Sequence, residues 1–148
     1  MRKIFLIMLL FSISLIYAES TKKVGICIIK DLKTFHKNTV IDSLKSRFPL
    51  VTFTEIPSKS LLKTKNKDFD ALIIMDRLEA WTFFNRTLKK LSRKLDATKT
   101  IYFITAGDPE WQWKKQGVIT VTSASKKEQV SQVVDKLSNE LRQILSNK

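Results

Sequence analysis

Five short runs of strand-forming residues alternate along this chain with stretches whose apolar residues recur at helical spacing. No other feature restricts the fold as much. The strand-like runs are Val24–Ile29, Leu50–Ile56, Asp70–Met75, Thr100–Thr105 and Gly117–Thr122. After the first, Phe35, Val40, Ile41, Leu44 and Phe48 mark one face of a helix over Thr34–Phe48, and Pro49 closes it. Ser58–Lys67 reads as a short helix carrying Leu61 and Leu62, and Trp81, Phe84, Leu88, Leu91 and Leu95 form the next stripe. Ser125 and Glu128 have the spacing of a capping box, and behind them Val130, Val133, Val134, Leu137, Leu141, Ile144 and Leu145 keep one apolar face. Runs this apolar cannot face water on either side. The chain is therefore expected to be α/β, a three-layer sandwich whose five-stranded parallel sheet has the order 2-1-3-4-5.

The amino terminus has a separate character. Met1-Arg2-Lys3 is basic, Ile4–Tyr17 is a 14-residue apolar run broken only by Ser12 and Ser14, and Ala18 is a small residue placed for cleavage. That is the layout of a secretory signal peptide, and the run is shorter than the roughly 20 residues of a spanning helix. The expected organisation is a signal peptide over 1–18 and a single domain over 19–148, exported to the periplasm or beyond, with no transmembrane segment after cleavage. No repeat, linker or low-complexity stretch interrupts the domain.

Removing residues 1–18 leaves 130 of the 148 residues, with 25 basic against 14 acidic, a net charge of +11. Such a charge favours anionic surfaces, among them acidic lipid and polyanionic glycan. The basic residues are dispersed (Lys22, Lys23, Lys30, Lys33, Lys37, Lys45) rather than gathered in an Arg-rich run. They read as a solvated lysine coat and not as a nucleic-acid site. Cys27 is the only cysteine, so no intramolecular disulfide forms, and its apolar neighbours predict a buried, inert thiol. One His and one Cys cannot furnish a zinc or copper centre. No Ser-His-Asp arrangement is present either, since His36 has no nucleophile-elbow sequence to serve. Asn85-Arg86-Thr87 has the form of a glycosylation acceptor, a pattern too short to carry weight.

In an open parallel sheet the loops leaving the strands and the helix amino ends share one edge, which nominates three loops. They are Lys30–Thr39, Asp76–Trp81 and Thr105–Trp113. In the first, His36 titrates near neutral pH and would meet Asp31 or Asp76 across the crevice, or else lie on the surface. In the second and third, Asp76 and Asp108 follow adjacent strands. The Gly107-Asp108-Pro109 turn with Trp111 and Trp113 sets flat rings beside a carboxylate, a surface for a sugar, a flavin or a partner. The plainer use of the two indoles is to close the end of the core. The candidate ligand-binding set is Asp31, Thr34, His36, Asp76, Thr105, Asp108 and Trp111, with no catalytic constellation among them.

Two families resemble these stretches. Lys23-Val-Gly-Ile, Asp70-Ala-Leu-Ile-Ile-Met and Ile104-Thr-Ala-Gly-Asp108-Pro ahead of Gly117-Val-Ile-Thr-Val-Thr-Ser look like the amino-terminal lobe of exported solute-binding proteins of ABC importers. That resemblance implies Thr34, Asp76, Thr105 and Asp108 as solute contacts. Ile28–Thr39 and Phe103–Trp111 are similar to the phosphate loop and the Gly-Asp loop of flavodoxins. This second resemblance implies FMN, with Thr34, Asn38 and Thr39 at the phosphate and Asp108 and Trp111 beside the isoalloxazine. Lys37 stands where flavodoxins have a glycine, and His36 where they have a small hydroxyl residue. The leading expectation is an exported, non-enzymatic binding domain without a cofactor, holding a small solute or an envelope protein at the strand-end crevice. A flavodoxin-like FMN-dependent redox protein and a structural component of an envelope assembly are the alternatives.

Overall fold

The computed structural model describes residues 21–30, 34–63, 68–78, 86–107, 111, 113, 116–124 and 126–147, excepting the side chains of residues 34 and 35. The signal-peptide reading of 1–18 and the helical stripe through Trp81 and Phe84 lie outside them.

The order of elements is β1 (Lys23–Ile28), α1 (Thr34–Arg47), β2 (Thr52–Glu55), α2 (Ser58–Lys63), β3 (Ala71–Arg77), α3 (Arg86–Lys94), β4 (Thr100–Ala106), β5 (Ile119–Ala124) and α4 (Val130–Ser146). Single 3-10 turns, Ala97–Lys99 and Lys127–Gln129, precede β4 and α4. All pairings are parallel, and the sheet order is β2-β1-β3-β4-β5, the order the alternation predicts. Every residue of β4 is buried, and in β3 only Arg77 is not. A parallel sheet needs this, because its crossover helices cover both faces.

Two apolar layers result. Val24, Ile26, Ile73, Met75, Ile101, Phe103 and Val121 pack under α1 and α4. Cys27, Leu72, Ile74, Tyr102 and Ile104 pack under α2 and α3. At the far end of the first layer Arg47 Nη1 meets Asp135 Oδ1 at 2.6 Å and donates to Ser138 Oγ at 3.3 Å, tying α1 to α4. The ion pair is partly exposed and contributes little beside the burial around it.

Several boundaries differ from the pattern reading. β5 starts two residues later than Gly117, because Gly117 takes φ +73°, a left-handed turn conformation that a strand cannot include. Ser123 and Ala124 consequently belong to the strand and pair with Thr105 and Ala106. The expected capping box does not start the last helix: Glu128 lies in the 3-10 turn, α4 begins at Val130, and Ser125 is outside the described residues. The Gln129 carboxamide oxygen instead accepts from Ser123 Oγ at 2.9 Å and from the Ala124 N–H at 3.0 Å, fastening the end of β5.

Gly25 is the one glycine that packing demands. A Cβ there would collide with Ile56 Cδ1, lie 2.6 Å from Leu72 Cδ2 and 3.3 Å from Phe69 Cδ1. Overpacking a core of this kind costs about 1–3 kcal/mol, whereas the stiffer unfolded chain returns only about 0.4–1 kcal/mol. Gly25→Ala is therefore expected to destabilise the domain by about 1 kcal/mol, read as a lower urea midpoint with unchanged slope. A midpoint at or above that of the parent chain contradicts the packing described.

Candidate functional site

The carboxyl edge of the sheet is formed by the ends of β1, β3, β4 and β5, and the strand order reverses direction between β1 and β3. In such sheets this reversal leaves a crevice. α1 begins at this edge, six residues after β1 ends. Its first four backbone N–H groups have no acceptor within the helix, and its first turn contains no acid.

His36 sits in that first turn and is neither a surface residue nor a partner of Asp76. It is only 3 % exposed, and its ring stacks on Phe103 with centroids 6.1 Å apart. The helix starts at Thr34, which carries the imidazole inward over β4 instead of leaving it in a loop. Its Nε2 has no hydrogen-bond partner among the described residues. Thr105 lies on the same face of β4, two residues beyond Phe103, and is fully buried. Its hydroxyl is likewise unpartnered among the described residues. Its carbonyl accepts the Leu78 N–H at 2.8 Å, which holds the strand end in place. Buried polar atoms without partners among the described residues, these two among them, are the most informative feature of this edge, since buried polar groups are ordinarily satisfied.

Asp76 belongs to the other face. It pairs with Ile104 in the register and is 2 % exposed, with Oδ1 accepting the Arg77 N–H at 2.9 Å. Its neighbour there is Cys27, whose thiol is pushed up to about 11, first by burial and then by the Asp76 charge. The thiol is accordingly protonated and unreactive at neutral pH. Pleat alternation thus separates Asp76 from His36 and Thr105, a division that the sequence reading of one shared crevice overlooked.

The remaining candidates divide further. Asp31 and Asp108 lie outside the described residues, and Thr34 is the first residue of α1. Trp111 is half-buried against the layer beneath α2 and α3. Trp113 is buried and meets Tyr102 edge-to-face at 5.2 Å, so this indole closes the core. Asn38 and Thr39 do not open the helix as the flavodoxin resemblance implies. They stand in its second turn, where their amides are committed to the helix; Asn38 is exposed and Thr39 lines a groove toward α4. Gly107, by contrast, is exposed, and an added Cβ there meets nothing within 4 Å among the described residues.

Burial holds the His36 imidazole below its ordinary value of 6.5. The unfolded chain therefore binds more protons than the folded one once the pH drops below about 6.5. Stability should fall as the pH is lowered from there toward the depressed native value, and should not change for this reason above it. Urea titrations at about pH 7 and pH 5.5 should show His36→Gln losing less stability than the parent over that interval, by up to about 1 kcal/mol. Parallel losses in the two chains would falsify the buried neutral imidazole.

No family model matches this chain, and no curated protein matches it. Solved structures do resemble it. A flavodoxin of Streptococcus pneumonia superposes with a TM-score of 0.50 at 11% identity, covering 82% of this chain and 98% of that one. A flavodoxin from the domain Archaea superposes with a TM-score of 0.52 at 10% identity, also covering 82% and 98%. At these identities the likeness establishes a flavodoxin-like α/β fold.

Proposed function

We propose that the carboxyl edge of this domain binds flavin mononucleotide and that the protein is an exported, flavodoxin-like electron carrier. The observation that carries the reading is a pair of buried atoms without partners among the described residues, His36 Nε2 and Thr105 Oγ1, on one face of the rim. A neutral imidazole and a hydroxyl suit a ligand with several hydroxyl groups, which would satisfy both. The uncommitted amides in the first turn of α1, with no acid beside them, suit a phosphate. The order β2-β1-β3-β4-β5 puts the reversal between β1 and β3, where flavin sites occur in this class of sheet. His36, Thr105 and the first-turn amides of α1 support this reading, while Asn38, Thr39 and Trp111 take no part in it. A bound flavin would supply one- or two-electron transfer, and the chain would hold and orient it.

Titrating the purified chain with FMN is expected to quench flavin fluorescence saturably, with riboflavin binding at least about tenfold more weakly because it lacks the phosphate. Fluorescence that stays unquenched at excess protein removes this reading. Thr105→Val is the sharper probe. Replacing an unsatisfied buried hydroxyl by a methyl should leave the ligand-free domain equally stable or more stable by about 1 kcal/mol, while weakening FMN about fivefold. A stability loss without any change in affinity would show that the hydroxyl serves the fold and not a ligand.

Export rests on Met1–Ala18 alone, whose basic start, apolar run and small residue suit cleavage. Amino-terminal sequencing of chain recovered from its host is expected to begin at Glu19. A chain that retains Met1 or Arg2 in the recovered protein refutes processing there.

A further inference from the structure

The basic residues are not spread evenly over the fold. α2 and α3 cover one face of the sheet and touch one another. Their sequences, SKSLLK and RTLKKLSRK, hold seven basic residues and no acid. Lys59, Lys63, Arg86, Lys89, Lys90, Arg93 and Lys94 are all exposed, while Leu61, Leu88 and Leu91 turn inward. The opposite layer, α1 with α4, holds five basic residues against three acids over more than twice the length.

Among the described residues, the acids of the connecting segments offset only part of the seven charges. Asp96, just beyond α3, keeps its negative charge, with Oδ1 accepting the Thr98 N–H at 2.9 Å and the Thr98 hydroxyl at 2.7 Å. Asp70 accepts from the Lys23 N–H at 2.8 Å, at the start of β1. Asp68, before β3, and Glu55, at the end of β2, are exposed acids outside the two helices. Lys94 donates to the Leu62 carbonyl, which locks the two helices side by side.

We infer that the α2–α3 face docks on an anionic phospholipid surface. Like charges concentrated on one helical layer are costly in isolation and gain only against a surface of opposite sign. The face exposes no aromatic side chain among its described residues, so it has nothing on which to stack nucleic-acid bases. Five of the seven basic residues are lysines, whose stems can lie along a surface while the ammonium groups reach lipid phosphates. No large apolar residue of the two helices is exposed, so the contact is electrostatic and superficial, without insertion. Read as an export signal, the apolar segment Ile4–Tyr17 would bring the chain to a bilayer, and on that reading lipid is favoured over other polyanions. The inference is independent of what the rim binds.

The test is co-sedimentation of the full chain with vesicles of phosphatidylcholine alone and of phosphatidylcholine with phosphatidylglycerol, in about 0.1 M salt. Two variants of equal net charge localise the effect. One replaces Lys59, Lys89, Lys90 and Arg93 by Gln; the other replaces Lys45, Lys126, Lys127 and Lys136, all exposed and outside α2 and α3. Each basic group near an anionic surface strengthens binding by about fivefold, so the first variant, with at least two of its four positions at the surface, should lose at least about 30-fold and the second only a few-fold. Far-ultraviolet circular dichroism checks that both remain folded. Equal losses in the two variants, or equal binding to neutral and anionic vesicles, would overturn the inference, as would tighter binding to duplex DNA than to the vesicles at the same salt.

Discussion

The central strands of this protein have no face for water, and that constraint organises everything else. β3 and β4 are buried along their length, so helices must cover both sides and every crossover must return the chain to the same end of the sheet. Backbone groups inside the sheet are consumed by the parallel ladder. The strand ends are where polar atoms can remain uncommitted, and the Thr105 hydroxyl, without a partner among the described residues, lies there, one residue from the end of β4. A fold built this way gathers its binding capacity at a rim without requiring any particular chemistry.

Alternation along the strands then sorts the rim residues. Odd-numbered positions of β4 face α1 and α4, and even-numbered positions face α2 and α3. Thr105 and His36 therefore share one side, while Asp76 and Cys27 share the other. The physical environments differ accordingly. On the first side a neutral imidazole and a hydroxyl lie on the same face as Arg77, the register partner of Thr105. On the second, burial first and then the charge of a buried carboxylate keep the adjacent thiol protonated. Two sets of side chains close in sequence terms are chemically separate because one residue of register inverts the face.

The fold was legible in the sequence because its signal is carried by long apolar periodicities, which the core satisfies directly. Val24–Ile29, Asp70–Met75 and Thr100–Thr105 announce strands buried on both faces, and the stripe from Val130 to Leu145 announces the final helix. The details that escaped were set by single residues. Nothing local distinguishes Gly117 as a left-handed turn residue from Gly25 as a packed strand residue, yet the first delays β5 and the second lets Ile56 and Leu72 close over β1. The site was legible only in part. His36 among lysines reads as solvated, and its burial follows from the helix starting early enough to swing the ring over Phe103, a tertiary fact. Its missing partner and that of Thr105 are visible only once the neighbours are known. The Gln129 bond to the end of β5 escaped for the same reason, since the capping-box spacing of Ser125 and Glu128 describes the local chain and Gln129 serves a strand.

Charge adds a second asymmetry across the same sheet. Counted along the sequence, the lysines are dispersed, and dispersion suggests a uniform coat. Folding converts that linear spacing into a layered one, because the two helices lacking acids, α2 and α3, fall on one face and the helices that carry Asp42, Asp135 and Glu140 fall on the other. The excess charge is thus carried by the layer opposite His36 and Thr105. Self-repulsion within one layer weakens the folded state slightly, and it is relieved only by counterions or by an anionic surface held against that layer. Such a surface would lie flat on α2 and α3 and leave the other layer, with the imidazole and hydroxyl at its rim, facing away from it. A domain with its charge on one layer and its uncommitted polar atoms on the other can be held at a surface and still keep its crevice open.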